Sequence, residues 1–115
     1  MKADKLLEAY RQTAIRYGRA IEKGNPRAVN RAHDKLVKLS HPFRHGGPDM
    51  QRLFMGLLED EDVSVRAWAA THALEFASEE AVSVLRKLES EAPWPINLDA
   101  EMVLREWAAG TLRLP

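Results

Sequence analysis

Val65-Arg66-Ala67-Trp68-Ala69-Ala70 returns 39 residues later as Leu104-Arg105-Glu106-Trp107-Ala108-Ala109, with five of six positions identical or conservatively replaced. A self-match with a period of about 40 residues marks solenoids built from helix pairs. The aliphatic residue and the alanines let one helix lie close to its neighbour. A lone hairpin cannot bury its apolar face, so about three must stack. Reading Trp68 and Trp107 as equivalent turns of successive hairpins predicts one layered stack. Asp62 precedes Arg66 by one turn, and the pair is expected to tie hairpin to hairpin or cap to helix.

Outward from that stretch, breakers divide the chain into six helical segments. Leu6, Leu7, Tyr10, Ala14, Tyr17 and Ile21 recur every three or four residues and predict a first helix over 3–23, stopped at Gly24. Asn25 as cap and Pro26 in the first turn start a second, reaching Leu39 with Val29, Ala32, Leu36 and Leu39 inward. Ser40-His41-Pro42-Phe43-Arg44-His45-Gly46-Gly47-Pro48 reads as a loop. A third helix is expected over 49–59, with Met50, Leu53, Phe54, Leu57 and Leu58 inside. An acidic turn then ends in Asp62, the cap of a fourth helix over 63–77, whose inner stripe is Val65, Ala69, Ala73 and Phe76. Ser78 is expected to cap a fifth helix that ends near Ser90, its first turn carrying Glu79 and Glu80. Pro93-Trp94-Pro95 forces a second loop over 91–98, and Asp99 is expected to cap a sixth helix over 100–112. No run alternates as a strand would. The fold class is all-α: a HEAT-like superhelix of about three hairpins in a single domain over 1–115.

The resemblance supports the same fold. Leu57-Leu58-Glu59-Asp60-Glu61-Asp62-Val63-Ser64-Val65-Arg66-Ala67-Trp68-Ala69-Ala70 resembles a HEAT repeat: leucine-rich first helix, acidic turn, then Val-Arg and an alanine pair. Asn30-Arg31-Ala32-His33-Asp34-Lys35-Leu36, Ala73-Leu74-Glu75-Phe76-Ala77 and Leu104-Arg105-Glu106-Trp107 with Gly110 extend the likeness. With these, the whole chain resembles a family of short, uncharacterised bacterial proteins with a HEAT/armadillo-like fold. That family carries no assigned catalytic residues, so the resemblance implies none here.

The chain has 115 residues, 45% hydrophobic and 30% charged, ordinary globular usage. It has no cysteine, which excludes disulfides and Cys-based zinc sites. No stretch approaches the ~18 apolar residues of a membrane span, and Met1-Lys2-Ala3-Asp4-Lys5 lacks a secretory signal's apolar run. A bacterial, cytoplasmic protein with no membrane association is expected. Net charge is zero but unevenly placed. Residues 1–48 hold eleven Lys/Arg against four Asp/Glu, and residues 49–115 hold six against thirteen. Such halves either steer a charged partner or attract one another.

Four histidines raise the question of a metal. His41 and His45 flank Pro42 in the expected loop, where helical i,i+4 geometry does not apply, and His33 and His72 lie far off in sequence. A zinc site needs three or four ligands in tetrahedral array, so neither metal nor cofactor is expected. Trp68 sits at the edge of its helix's inner stripe with His72 one turn on. Packing between hairpins is the ordinary role of such a tryptophan, and contact with a partner is the other, since tryptophan anchors interfaces. Asn30 and Asp34 share a face with His33 beside them. No nucleophile or phosphate loop accompanies them, so hydrogen bonding to the 40–48 loop is the expected role. Arg16, Arg19 and Lys23 lie on one face of the first helix, and Arg27, Arg31, Lys35 and Lys38 on one face of the second. If the faces adjoin, a basic stripe results that suits phosphates.

The expected function is therefore binding rather than catalysis. Trp68, His72, Asn30, Asp34, Arg27 and Arg31 are the candidate contact residues. The leading expectation is a protein–protein interaction module. By analogy of shape with small bacterial immunity proteins, a toxin is the envisaged partner. The alternative is nucleic-acid binding through the basic face of the first two helices.

Overall fold

Local signals place most helix ends in the computed structural model, which describes residues 2–115. The first helix, α1 (Ala3–Lys23), stops at Gly24, whose φ of 63° is left-handed; the Gly24 N–H bonds Ile21 O and the Asn25 N–H bonds Ala20 O, both at 3.1 Å. Asn25 then caps α2 (Pro26–His45), its Oδ1 accepting the Ala28 N–H at 3.2 Å. Four further helices follow, α3 (Pro48–Met55), α4 (Val63–Ala73), α5 (Ser78–Glu91) and α6 (Ile96–Ala109), with a 3₁₀ turn over Gly56–Glu59. Among the described residues there is no strand.

The expected loop over 40–48 is instead helix up to His45, with Pro42 inside it. A proline in a helix interior costs about 3 kcal/mol. Tertiary contacts on its C-terminal side outweigh that. Phe43 is fully buried with its ring centroid 5.3 Å from that of Phe54, and the buried Arg44 donates to Glu75 Oε1 at 2.7 Å. The carbonyl that loses its partner belongs to the exposed Lys38, where water can serve it. Only Gly46 and Gly47 separate α2 from α3.

Smaller boundary differences have equally local causes. The expected third helix tightens into 3₁₀ geometry from Gly56, a poor helix former. Leu53 is exposed rather than inside, because Phe54 takes the core position about 100° round the helix from it. α4 ends at Ala73, whose carbonyl accepts the N–H groups of both Phe76 and Ala77. Ser78 lies within the first turn of α5 and does not cap it. α6 begins four residues before its expected start, since the Pro93 and Pro95 carbonyls accept the N–H groups of Asn97 and Asp99. Asp99 is thus a first-turn residue and not the cap.

α4 touches every other helix. Its alanine-rich surface explains this: Ser64, Val65, Ala69, Ala70, His72 and Ala73 are all buried and spread over more than half of the helix circumference. Gly18 allows α1 to come close, since a Cβ there would meet the Ser64 side chain. Around α4 the successive pairs α1–α2, α4–α5 and α5–α6 pack side by side, as in a helical superhelix, and the whole measures 33 × 30 × 26 Å.

The 39-residue echo is not an echo in packing. Ala69 and Ala70 are buried, whereas Ala108 and Ala109 are exposed. Trp68 is enclosed by Tyr17, His33 and His72, whereas Trp107 lies beside Val82, Arg86 and Glu89 of α5 and is 37% exposed. The reason is position: α4 contacts all the other helices, whereas α6 ends the stack and packs mainly on α5. The arginines differ too. Arg66 donates to the Asp60 carbonyl at 2.7 Å and the Glu61 carbonyl at 3.2 Å, while Asp62 is engaged in capping Val65 at 3.0 Å. The expected Arg66–Asp62 pair is therefore absent. Arg105 does pair with Glu101, at 2.7 Å.

Candidate functional site

Of the six candidate contact residues, one lies in the core. His72 is 2% exposed, and its Nδ1 and the Tyr10 hydroxyl share a buried hydrogen bond of 2.6 Å. Burial, then the positive charge of Arg44, with smaller effects of His33 and His41, lowers its pKa to about 3. Arg44 itself also reaches Ser40 Oγ and the Leu114 carbonyl, which ties the C-terminal residues to α2. His72 therefore offers almost no surface to a partner: its ring lies against the inner side of Trp68, with centroids 5.4 Å apart.

Trp68 is half-buried. Tyr17 stands edge-on to it at 5.1 Å between centroids, and His33 at 5.6 Å. One side of this aromatic group opens into a cavity of about 250 Å³ between α4 and α6. Tyr17, Trp68, Leu85, Ile96 and Val103 supply a mainly apolar wall, with Asp99, Met102 and Glu106 also lining it. Burial pushes the Asp99 carboxyl above its ordinary pKa, and burial and then the Asp99 charge push the Tyr17 phenol up.

Beside the cavity lies exposed apolar surface. Leu98 and Met102 stand one turn apart on α6, 44% and 50% exposed, and Trp94, in the turn just ahead of the helix, is 76% exposed. Leaving large apolar side chains clustered in water is unfavourable, and such patches mark interaction surfaces. This stripe was missed in the sequence. Its signal was present, as Leu98, Met102 and Glu106 recur at i,i+4 outside the inner residues Ile96, Ala100 and Val103. The reading of 91–98 as loop hid Leu98, and the reading of Asp99 as a cap hid its place in the cavity wall.

On another side of the molecule the two basic helix faces do adjoin. Arg16, Arg19 and Lys23 of α1 and Arg31 and Lys35 of α2 line a shallow groove of about 600 Å³. None of these five is in an ion pair among the described residues. Arg27 and Lys38 are exposed nearby in sequence but do not line the groove. Other basic residues do hold the two charged halves together: Arg11 bonds Asp60 at 2.7 Å and Arg44 bonds Glu75. Asn30 and Asp34 are exposed; Asp34 meets only His33, at 3.4 Å, and neither reaches residues 40–48. Because α2 continues through Pro42, His41 and His45 do take i,i+4 helical geometry, 5.7 Å apart between ring centroids. No group of three or more potential metal ligands gathers among the described residues. Among the described residues no helix is long and apolar enough to cross a membrane.

These features define a small all-α protein with an apolar, aromatic-walled face and a separate cationic groove. The chain belongs to a family known as a domain of unknown function, DUF2019, whose profile matches residues 4–107. Its fold is that of the protein RPA1889 from Rhodopseudomonas palustris CGA009, known from a crystal structure. The two superpose with a TM-score of 0.90 at 21% sequence identity, over 98% of this chain and 93% of the other. No curated protein matches the chain.

Proposed function

We propose that this protein is a protein–protein interaction module, a HEAT-like stack of hairpins that docks its partner on the α6 face. The observation that carries the reading is the exposed pair Leu98 and Met102 on α6, beside the cavity walled by Trp68 and Tyr17, with the exposed Trp94 just ahead of the helix. Tryptophan and other large apolar groups at the centre of a contact, ringed by polar residues, are what dominates binding energy at interfaces. The HEAT-like and immunity readings rest on the resemblance and on the molecule's size and charge fields. A bacterial toxin is the partner we favour within this class, met in the cytoplasm. The test is capture from the native host by the wild-type protein and by a Leu98→Glu/Met102→Glu variant with an unchanged circular-dichroism spectrum. A stoichiometric protein held by the first and lost by the second supports the reading. Equal capture by both would remove it.

A second reading, nucleic-acid binding, is favoured by one observation: five cations converge on the α1–α2 groove without ion-pair partners. Phosphates are met by such clusters with steep salt dependence. The experiment is an electrophoretic mobility shift at low salt. A shift abolished by Arg31→Glu/Lys35→Glu supports this reading, and no shift counts against it.

A further inference from the structure

We propose that the cavity between α4 and α6 receives one cationic side chain, a lysine or arginine presented by a protein partner. The inference rests on the docking reading and says which chemistry that face accepts. Two aromatic side chains, Tyr17 and Trp68, line the cavity, and aromatic faces attract an ammonium or guanidinium group. Leu85, Ile96 and Val103 offer an apolar wall for an aliphatic stem, which long basic side chains bury while keeping the charged head in polar surroundings. Asp99 and Glu106 line the same space, and neither is in an ion pair among the described residues.

Size and charge select among occupants. Cavities that enclose drug-sized ligands run from about 300 to 1,000 Å³, and this one, about 250 Å³, suits a single long side chain. A neutral apolar group would cover two carboxylates without compensating their charge, which is unfavourable. An anion would be repelled by them. A cation with an aliphatic stem satisfies wall and rim together. The charged residues that line the cavity, Asp99 and Glu106, are both acidic, so its own field draws a cation.

The experiment follows the Trp68 indole N–H resonance while N-acetyl-arginine amide, the neutral N-acetyl-citrulline amide and N-acetyl-leucine amide are titrated at matched ionic strength. The arginine amide is expected to bind at least about tenfold more tightly than the citrulline amide. Asp99→Asn/Glu106→Gln, which keeps shape and removes charge, is expected to erase that preference. Equal affinity for the two amides, a preference that survives both substitutions, or no response to the arginine amide would overturn the proposal. Tight binding of the leucine amide alone would overturn it too, yet leave the docking face standing as an apolar anchor site. Sedimentation that shows self-association lost in the same double variant would assign the cation to a second copy and overturn a distinct partner. Loss of host capture in the Leu98→Glu/Met102→Glu protein is read independently, so the two claims can fail separately.

Discussion

His72 and Tyr10 show how one buried polar pair sets the response to acid. The unfolded chain takes up a proton on this histidine near pH 6.5, whereas the folded chain resists it down to about 3. Between those values the unfolded state holds more protons, so stability falls as pH falls, and the contribution is complete only above the upper value. The slope from this residue is at most about 1.4 kcal/mol per pH unit. Urea melts across that window should show it. His72→Gln, which keeps a polar group for the Tyr10 hydroxyl, should flatten the slope while lowering stability at neutral pH by about 1–2 kcal/mol. An unaltered slope would mean that other groups cause the acid sensitivity. Arg44 offers a related case. Its side chain is 4% exposed and pairs with Glu75, whose side chain is 46% exposed. Glu75→Gln should cost about 1–2 kcal/mol in denaturant melts, less than a fully buried pair, because water already screens one partner.

At the scale of elements, how much could be read from the chain depended on whether the deciding contact was local. Asn25 with Pro26, and Gly24 at the end of α1, act through neighbours in sequence, and both ends came out where expected. Gly24 has a left-handed φ with open space around a would-be Cβ, so Gly24→Ala strains only the backbone and should cost about 1 kcal/mol. Pro42 is the opposite case. Nothing near it in sequence announces that Phe54, Glu75 and Leu114 hold Phe43 and Arg44 in helical register. Pro42→Ala restores a backbone donor to α2 and should stabilise the protein by about 1 kcal/mol or more, visible as a higher midpoint with unchanged helix content. A loss of stability would mean that α2 is shaped around the proline ring. The candidate site divides the same way. The basic faces of α1 and α2 follow from helical spacing, and their junction from the adjacency of consecutive helices. The apolar stripe of α6 depended on where that helix starts, which two prolines disguised, and the enclosure of His72 depended on Tyr10, 62 positions away.

Across the whole molecule, two surfaces of different chemistry lie on one helical stack. The division of charge along the chain is partly spent inside it, in the Arg11–Asp60 and Arg44–Glu75 bridges. What remains outside is the cationic α1–α2 groove and the apolar α6 face with Asp99 and Glu106. Because the Val65–Ala70 and Leu104–Ala109 runs differ in their packing, the binding reading rests on these surfaces and not on repeat equivalence. It is tested most directly by photo-crosslinking in the native host. A photoreactive residue would be placed at Met102, at Arg31 in the basic groove, and at the exposed Arg52 of α3 as a control. A defined protein adduct from the Met102 position, absent from the other two, is the result expected. Adducts from Arg31 alone, or none from Met102, would contradict docking on the α6 face.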